Sequence, residues 1–397
     1  MIVKSKRALG EKRSVIREIF EYGKARRAEI GAENVFDFSL GNPSVPAPDE
    51  VNEALVRLIR QTPSTQLHGY TSAQGDAGVR GAIADYLNKT YGVGVRASDL
   101  YMTVGAAASL SACLSALSGE GEEVIAFAPF FPEYRVFTEQ AGASLRVVPA
   151  DTGSFEISFE GLAEALNEKT AAVIINSPNN PSGAVLSAAT LTRLGQVLTE
   201  AEKKYGHPIY LIADEPYREL AYDGVEVPYP TLFYHNTLVC YSFSKSISLP
   251  GERIGYVLVA PSVEDHDGVY AAICGAGRAL GYVCAPSLFQ YLIPEVLGKV
   301  SDLAAYKTNR DLLYGALTEY GFTVHKPGGA FYLFMKAAEA DASAFCERAK
   351  KYELLLVPGD DFACPGYVRI AYCVTEEQIR RSLPAFRKLA EEYGLIK

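Results

Sequence analysis

Between about residues 75 and 290, short apolar runs alternate with stretches whose apolar positions recur every three or four residues. Tyr101–Val104, Val124–Phe127, Ala172–Ile175, Tyr210–Ile212, Leu238–Ser242 and Gly255–Leu258 are short and nearly unbroken in apolar character, the mark of strands buried on both faces. Ala106–Leu117, Phe159–Leu166 and Ala188–Lys204 carry the helical period. This alternation predicts an α/β protein whose sheet is mostly parallel and doubly wound. After about residue 295 the order changes. A long helix over Val300–Tyr320 precedes strands at Phe331–Met335, Leu354–Val357 and Tyr367–Ala371, and a helix from Thr375 closes the chain. That order reads as a smaller α+β domain. At the other end Val15, Ile16, Ile19 and Phe20 fall at helical spacing within the charged segment Lys4–Arg27, predicting an amphipathic helix rather than a secretory signal.

Pro43, Pro46 and Pro48 mark the loop where the N-terminal segment crosses toward the large domain. The expected division is a large domain over 48–295 and a small domain built from 1–47 and 296–397. A chain of 397 residues has room for both. Its net charge of −9 argues against nucleic acid, which needs clustered Lys and Arg, and no run approaches a membrane span. Seven cysteines without a C-x-x-C pair and five scattered histidines point to a reduced, cytoplasmic, metal-free protein.

Ligands of open α/β sheets bind at the carboxyl ends of the strands, and four predicted strand ends carry suitable residues. Tyr101–Val104 ends in Gly105 and a helix opening with Ala106, Ala107 and Ala108, whose free N–H groups suit a phosphate; an ordinary strand–helix turn has the same look. Leu211-Ile212-Ala213 delivers Asp214, with Tyr217 three residues on; a capping Asp and a core Tyr are the plainer account. Val239-Cys240-Tyr241 leads to Ser242, Ser244 and Lys245, with Arg253 eight residues beyond. A lysine desolvated behind a strand has the lowered pKa that imine chemistry needs, while a lysine in a wet loop does not. Ile174-Ile175 runs into Asn176-Ser177-Pro178-Asn179-Asn180-Pro181, a turn whose amides can bond a planar ligand.

Together these segments resemble the class I/II aminotransferases, pyridoxal-phosphate enzymes of fold type I. The resemblance spans nearly the whole chain. It rests on Ser39-Leu40-Gly41-Asn42-Pro43, Tyr70-Thr71, Val104-Gly105-Ala106-Ala107, Pro129-Phe130-Phe131-Pro132, Asn179-Asn180-Pro181-Ser182-Gly183, Asp214-Glu215-Pro216-Tyr217, Ser242-Phe243-Ser244-Lys245, Arg253-Ile254-Gly255 and Arg369-Ile370. It implies transfer of an amino group between an L-amino acid and a 2-oxo acid. Lys245 is implied to hold pyridoxal phosphate as an imine and then to carry the proton between the substrate Cα and C4′. Asp214 is implied to pair with the ring N–H, Tyr217 and Asn180 to bond the ring oxygen, and Phe131 to stack on the ring. The Gly105, Ala106 and Ala107 backbone, Ser242, Ser244 and Arg253 are implied to hold the phosphate. Arg369 is implied to grip the substrate carboxylate, under a backbone closed at Gly41. Tyr70 is implied to reach the neighbouring subunit's phosphate, making a homodimer with shared sites.

The resemblance also implies cis peptides at Ala128–Pro129 and Asn180–Pro181. Ala107 departs from the hydroxyl or lysine many relatives place there, so phosphate binding leans on backbone and Ser242. Arg278 is either a distal cation for a second substrate carboxylate or a plain helix-end arginine. Two rivals stand beside transamination. A carbon–sulfur β-lyase acting on cystathionine or cysteine uses the same apparatus. A non-catalytic regulator places a basic winged-helix segment ahead of this pattern, which here begins within the first 45 residues or so.

Overall fold

The structure, a computed structural model, describes residues 2–11 and 14–396. The expected single N-terminal helix is two, Lys4–Glu11 and Val15–Ile30. Lys12 and Arg13, which that expectation included, lie outside the described residues. The second helix starts where the Ser14 hydroxyl accepts the Arg17 N–H. It buries Ile19 but leaves Phe20 only half-buried. Strand β1 (Phe36–Asp37) follows.

The large sheet holds β2 (Leu100–Thr103), β3 (Glu123–Phe127), β4 (Ser144–Val148), β5 (Thr170–Asn176), β6 (Tyr210–Asp214), β7 (Thr237–Ser242) and β8 (Gly255–Val259). Their order is β2-β8-β7-β6-β5-β3-β4, all parallel except β8, which runs against both neighbours. Successive residues of a strand point to opposite faces, and here both faces are covered. Val173 and Ile175 of β5 join one apolar cluster with Leu194 and Leu198, whereas Ala172 and Ile174 join another with Leu110 and Leu114. Hence β5 is buried at every residue. The unexpected strand β4 sits at the edge, where Ser144 and Arg146 face outward.

The second body contains β9 (Val324–His325), β10 (Tyr332–Lys336), β11 (Leu354–Leu355), β12 (Val357–Pro358) and β13 (Tyr367–Ala371). The single strand expected over Leu354–Val357 is divided: β11 pairs in parallel with β1, while β12 joins an antiparallel sheet ordered β12-β13-β10-β9. The long helix is Leu303–Glu319, because Asp302 caps it through the N–H groups of Ala304 and Ala305. It packs on the closing helix, Glu376–Glu392.

Register puts the chemistry-bearing turns on one edge. Asn176 lies opposite Asp214, Asp214 opposite Cys240, and both Thr103 and Ser242 opposite Gly255. The chain therefore delivers the turns after β2, β5, β6 and β7 and the turn before β8 to a common place.

Candidate active site

That place is a cavity of about 170 Å³ bordered by Ala106, Ala107, Phe131, Asn180, Asp214, Tyr217, Ser242, Ser244, Lys245 and Arg253. Lys245 stands in the short helix Phe243–Ser246 directly behind β7. Its Nζ donates to the Gly41 carbonyl at 2.6 Å and lies 5.4 Å from the Phe331 ring centre. Burial lowers its pKa to about 8, and Arg253 and Arg369 work in the same direction. A sizeable fraction of neutral amine near physiological pH follows.

Asp214 ends β6 and is buried. Its Oδ2 accepts the Tyr134 hydroxyl at 2.6 Å, while its Oδ1 has no partner. Burial raises its pKa to about 7, against the lowering effect of the Tyr134 bond. A buried carboxylate oxygen left unpaired is expensive, so this atom is set to meet a donor from outside the chain. Tyr217 is buried three residues on, its hydroxyl 3.0 Å from that of Tyr332. Burial holds the Tyr217 phenol well above its ordinary pKa, so it stays protonated.

At the other end of the cavity, Gly105 has φ 88° and precedes the helix Ala106–Leu117. A Cβ at Gly105 would lie 2.5 Å from an Arg253 nitrogen, so only glycine lets that guanidinium close on the helix start. Ala108 and Ser109 return their N–H groups to the Gly105 carbonyl, and those of Ala106 and Ala107 precede them beside the cavity. Arg253 itself has φ 52° and donates to Ser244 Oγ at 3.3 Å. Ser242 Oγ and Ser244 Oγ are 2.7 Å apart. Free amides, two hydroxyls, a helix N-terminus and a guanidinium converge as a dianion requires.

Arg369 lies in mid β13, opposite Phe334 and Val357, and is 2 % exposed. It donates to Asn180 Oδ1 at 3.2 Å and to the Ser39 carbonyl, and its Nε has no partner. Its guanidinium lies over the Tyr332 and Phe362 rings, at 4.7 and 5.0 Å. Among the described residues no carboxylate forms an ion pair with Lys245, Arg253 or Arg369. Three cations around one cavity in an acidic chain call for anionic groups from a ligand.

Gly41 joins this set through Lys245, and a Cβ there would meet the Tyr332 hydroxyl at 1.9 Å. Tyr70, an expected site residue, stays apart from it, and so does Arg278, for which a helix-end position was one of the two readings. Tyr70 is 91 % exposed, and Arg278 is exposed in the last turn of the helix His266–Ala279. Both expected cis bonds are present, together with a third at Ser177–Pro178. Tyr134 and Tyr332, the partners of Asp214 and Tyr217, went unread in the sequence, where nothing local sets them apart from the other tyrosines. Among the described residues no acidic, histidine or cysteine cluster is arranged to hold a metal, and no helix is long and apolar enough to cross a membrane.

Fold and site together define an α/β protein whose strand ends gather a desolvated lysine, a buried carboxylate with one free oxygen and an anion-binding helix start around one cavity. The family model for aminotransferase class I and II matches residues 33–386, and the chain belongs to that family. A probable aspartate/prephenate aminotransferase of Aquifex aeolicus is 29 % identical, covering 93 % of this chain and 94 % of that protein. The crystal structure of an aminotransferase from Eubacterium rectale superposes with a TM-score of 0.97 at 57 % identity, covering 99 % of both chains. Thermus thermophilus aspartate aminotransferase with maleate superposes with a TM-score of 0.87 at 27 % identity, covering 98 % of this chain and all of that one. The protein is thus a pyridoxal-phosphate-dependent aminotransferase with amino acid and 2-oxo acid substrates. These relatives lend nothing to the lyase or regulator readings.

Proposed function

We propose that Lys245, Asp214 and Arg369 divide the work of amino transfer in this chain. Pyridoxal phosphate, when bound, supplies an electron sink for the carbanion at the substrate Cα. Lys245 is the residue that attaches it and then moves the proton at Cα, a task suited to an amine whose pKa is near 8. Asp214 Oδ1 receives the ring N–H, and Tyr134 keeps the carboxylate turned toward it. Tyr217 and Asn180 reach the ring oxygen, and Phe131 covers one ring face. Gly105, Ala106, Ala107, Ser242, Ser244 and Arg253 hold the phosphate. Arg369 takes the substrate α-carboxylate in its planar fork, oriented by Asn180 and the ring of Tyr332. Gly41 keeps the chain close to Lys245, its carbonyl accepting from Nζ and its lack of a Cβ leaving room for the Tyr332 hydroxyl.

The observation that carries this reading is the unpaired Asp214 Oδ1, buried across the cavity from a desolvated lysine. The exposure of Tyr70 supports a homodimer in which its side chain reaches the phosphate of a partner's site. The apolar clusters support a division into a large part, 48–295, and a small part, 1–47 with 296–397: Leu100 and Val173 pack in one cluster and Leu313 and Phe386 in another, which Tyr217, Leu220 and Tyr222 of the large part join at the seam. Cysteines that are all free support a cytoplasmic location. The amino acid pair is tested by a donor–acceptor panel on purified protein, with aspartate, glutamate and aromatic donors. Stoichiometric exchange of amino and oxo groups supports the reading. Steady pyruvate release from cysteine or cystathionine without an acceptor replaces it with the lyase. In the same panel, an Arg278→Ala variant with unchanged rates on aspartate and glutamate removes any distal-carboxylate role for that arginine.

A further inference from the structure

The turn that carries Lys245 is anchored on the side away from the cavity. Ser246, its last residue, is 2 % exposed and held twice. Its carbonyl accepts the Ser301 N–H at 2.7 Å, where the chain returns to the long helix Leu303–Glu319. Its hydroxyl lies 3.0 Å from the Tyr241 hydroxyl, which in turn donates to Glu219 Oε1 at 2.9 Å. A phenol has one proton, so Tyr241 gives it to Glu219 and accepts from Ser246. Tyr241 cannot swing away: it stacks on Tyr256 at 5.0 Å and meets the edge of Phe243 at 5.0 Å. Glu219 follows Arg218, whose charge is already taken by Glu215 at 2.5 Å. Tyr86, Tyr91 and Tyr256 complete its surroundings. The second oxygen, Oε2, is buried without a partner, so among the described residues Tyr241 makes the one side-chain bond Glu219 has.

We propose that Tyr241 and Glu219 are positioning residues for Lys245: they fix the Ser246 end of its turn and so hold Nζ at the height where it meets the Gly41 carbonyl and the cavity. The inference rests on the role of Lys245 given above. A four-residue helix has no internal ladder to keep its shape, and these bonds replace one. Burial pushes the Glu219 carboxyl up to about 6, yet either protonation state accepts from a phenol, so the brace persists across neutral pH.

The test uses holoenzyme carrying Tyr241→Phe, Glu219→Ala or Glu219→Gln. Tyr241→Phe keeps the ring stacking and removes the bond to both partners. It is expected to lower kcat about tenfold with KM for the amino donor little changed, and to shift the pH at which the bound cofactor's absorption titrates. Glu219→Ala should act likewise, and Glu219→Gln, which still accepts from Tyr241, should recover most of the loss. Melting temperature is recorded for each. A variant with lowered melting temperature but unmoved titration and kcat assigns these residues to stability and overturns the proposal. Borohydride reduction and peptide mapping of the wild type separate the two failures. Label off Lys245 removes the role of the lysine; label on Lys245 with an unmoved titration removes only the brace.

Discussion

Replacing Gly105 by alanine tests the phosphate site by adding a single methyl between the helix start and the Arg253 guanidinium. Gly105 has φ 88° and ψ 171°, a region essentially closed to residues with a Cβ. The added methyl would also lie 2.5 Å from one Arg253 nitrogen and 2.9 Å from its Cζ. The guanidinium must retreat, because the Gly105 backbone is held by the bonds from Ala108 and Ser109. Backbone strain of about 1–3 kcal/mol destabilises the fold. Separately, losing one charge-assisted contact to a phosphate costs about 1.5–3 kcal/mol. At 1.4 kcal/mol per decade, the second effect weakens cofactor binding about 10- to 100-fold. Absorbance titration of cofactor-free protein with pyridoxal phosphate measures it. Because the alanine acts through Arg253, Gly105→Ala should add little to Arg253→Ala in a double-mutant cycle. Affinity within about twofold of wild type, with the fold intact, would refute the assignment of this turn to the phosphate.

Other substitutions separate the remaining roles. Arg369→Lys keeps the charge but loses the fork, so KM for the amino donor should rise about 10-fold or more while cofactor affinity holds. Asp214→Asn should bind the cofactor yet lose about 100-fold or more in turnover, measured with saturating substrates. In cofactor-free protein the raised Asp214 pKa has a definite sign. The folded state binds more protons than the unfolded one between pH 3.8 and about 7, so stability should fall as pH rises through that window. The loss should be on the order of 2–4 kcal/mol in denaturant titrations, and Asp214→Asn should flatten it. Mixing inactive Lys245→Ala and weakened Tyr70→Phe subunits should produce hybrid dimers with one native site, raising activity above that of either homodimer; no rise would remove the shared site.

The sheet was legible where physics leaves a local trace. Strands covered on both faces are apolar through their middles, with polar residues only at their ends, which is why β3, β5, β6 and β7 stand out in the sequence. Edge strand β4 lacks that trace, since Ser144 and Arg146 are wet. Leu354–Val357 looked continuous because pairing partners are not written in a strand, and its halves join different sheets. Lys245 and Asp214 could be placed because the carboxyl ends of parallel strands face one way, and Arg253 because it lies eight residues after Lys245, in the turn before the antiparallel β8. Tyr134 and Tyr332 could not, because only the folded chain brings them to Asp214 and Tyr217 from 80 and 115 residues away. The same holds for Tyr241, a core tyrosine by pattern whose hydroxyl bridges Glu219 and Ser246.

The central claim is that Lys245 carries the cofactor. Borohydride reduction of the purified protein with pyridoxal phosphate, followed by digestion and mass spectrometry, addresses it directly. The account predicts one phosphopyridoxyl group per chain, on the peptide containing Ser244-Lys245-Ser246, and none in Lys245→Ala. Labelling should rise with pH through a midpoint near 8, as the amine loses its proton. Label on another lysine, or equal labelling of wild type and Lys245→Ala, would contradict it.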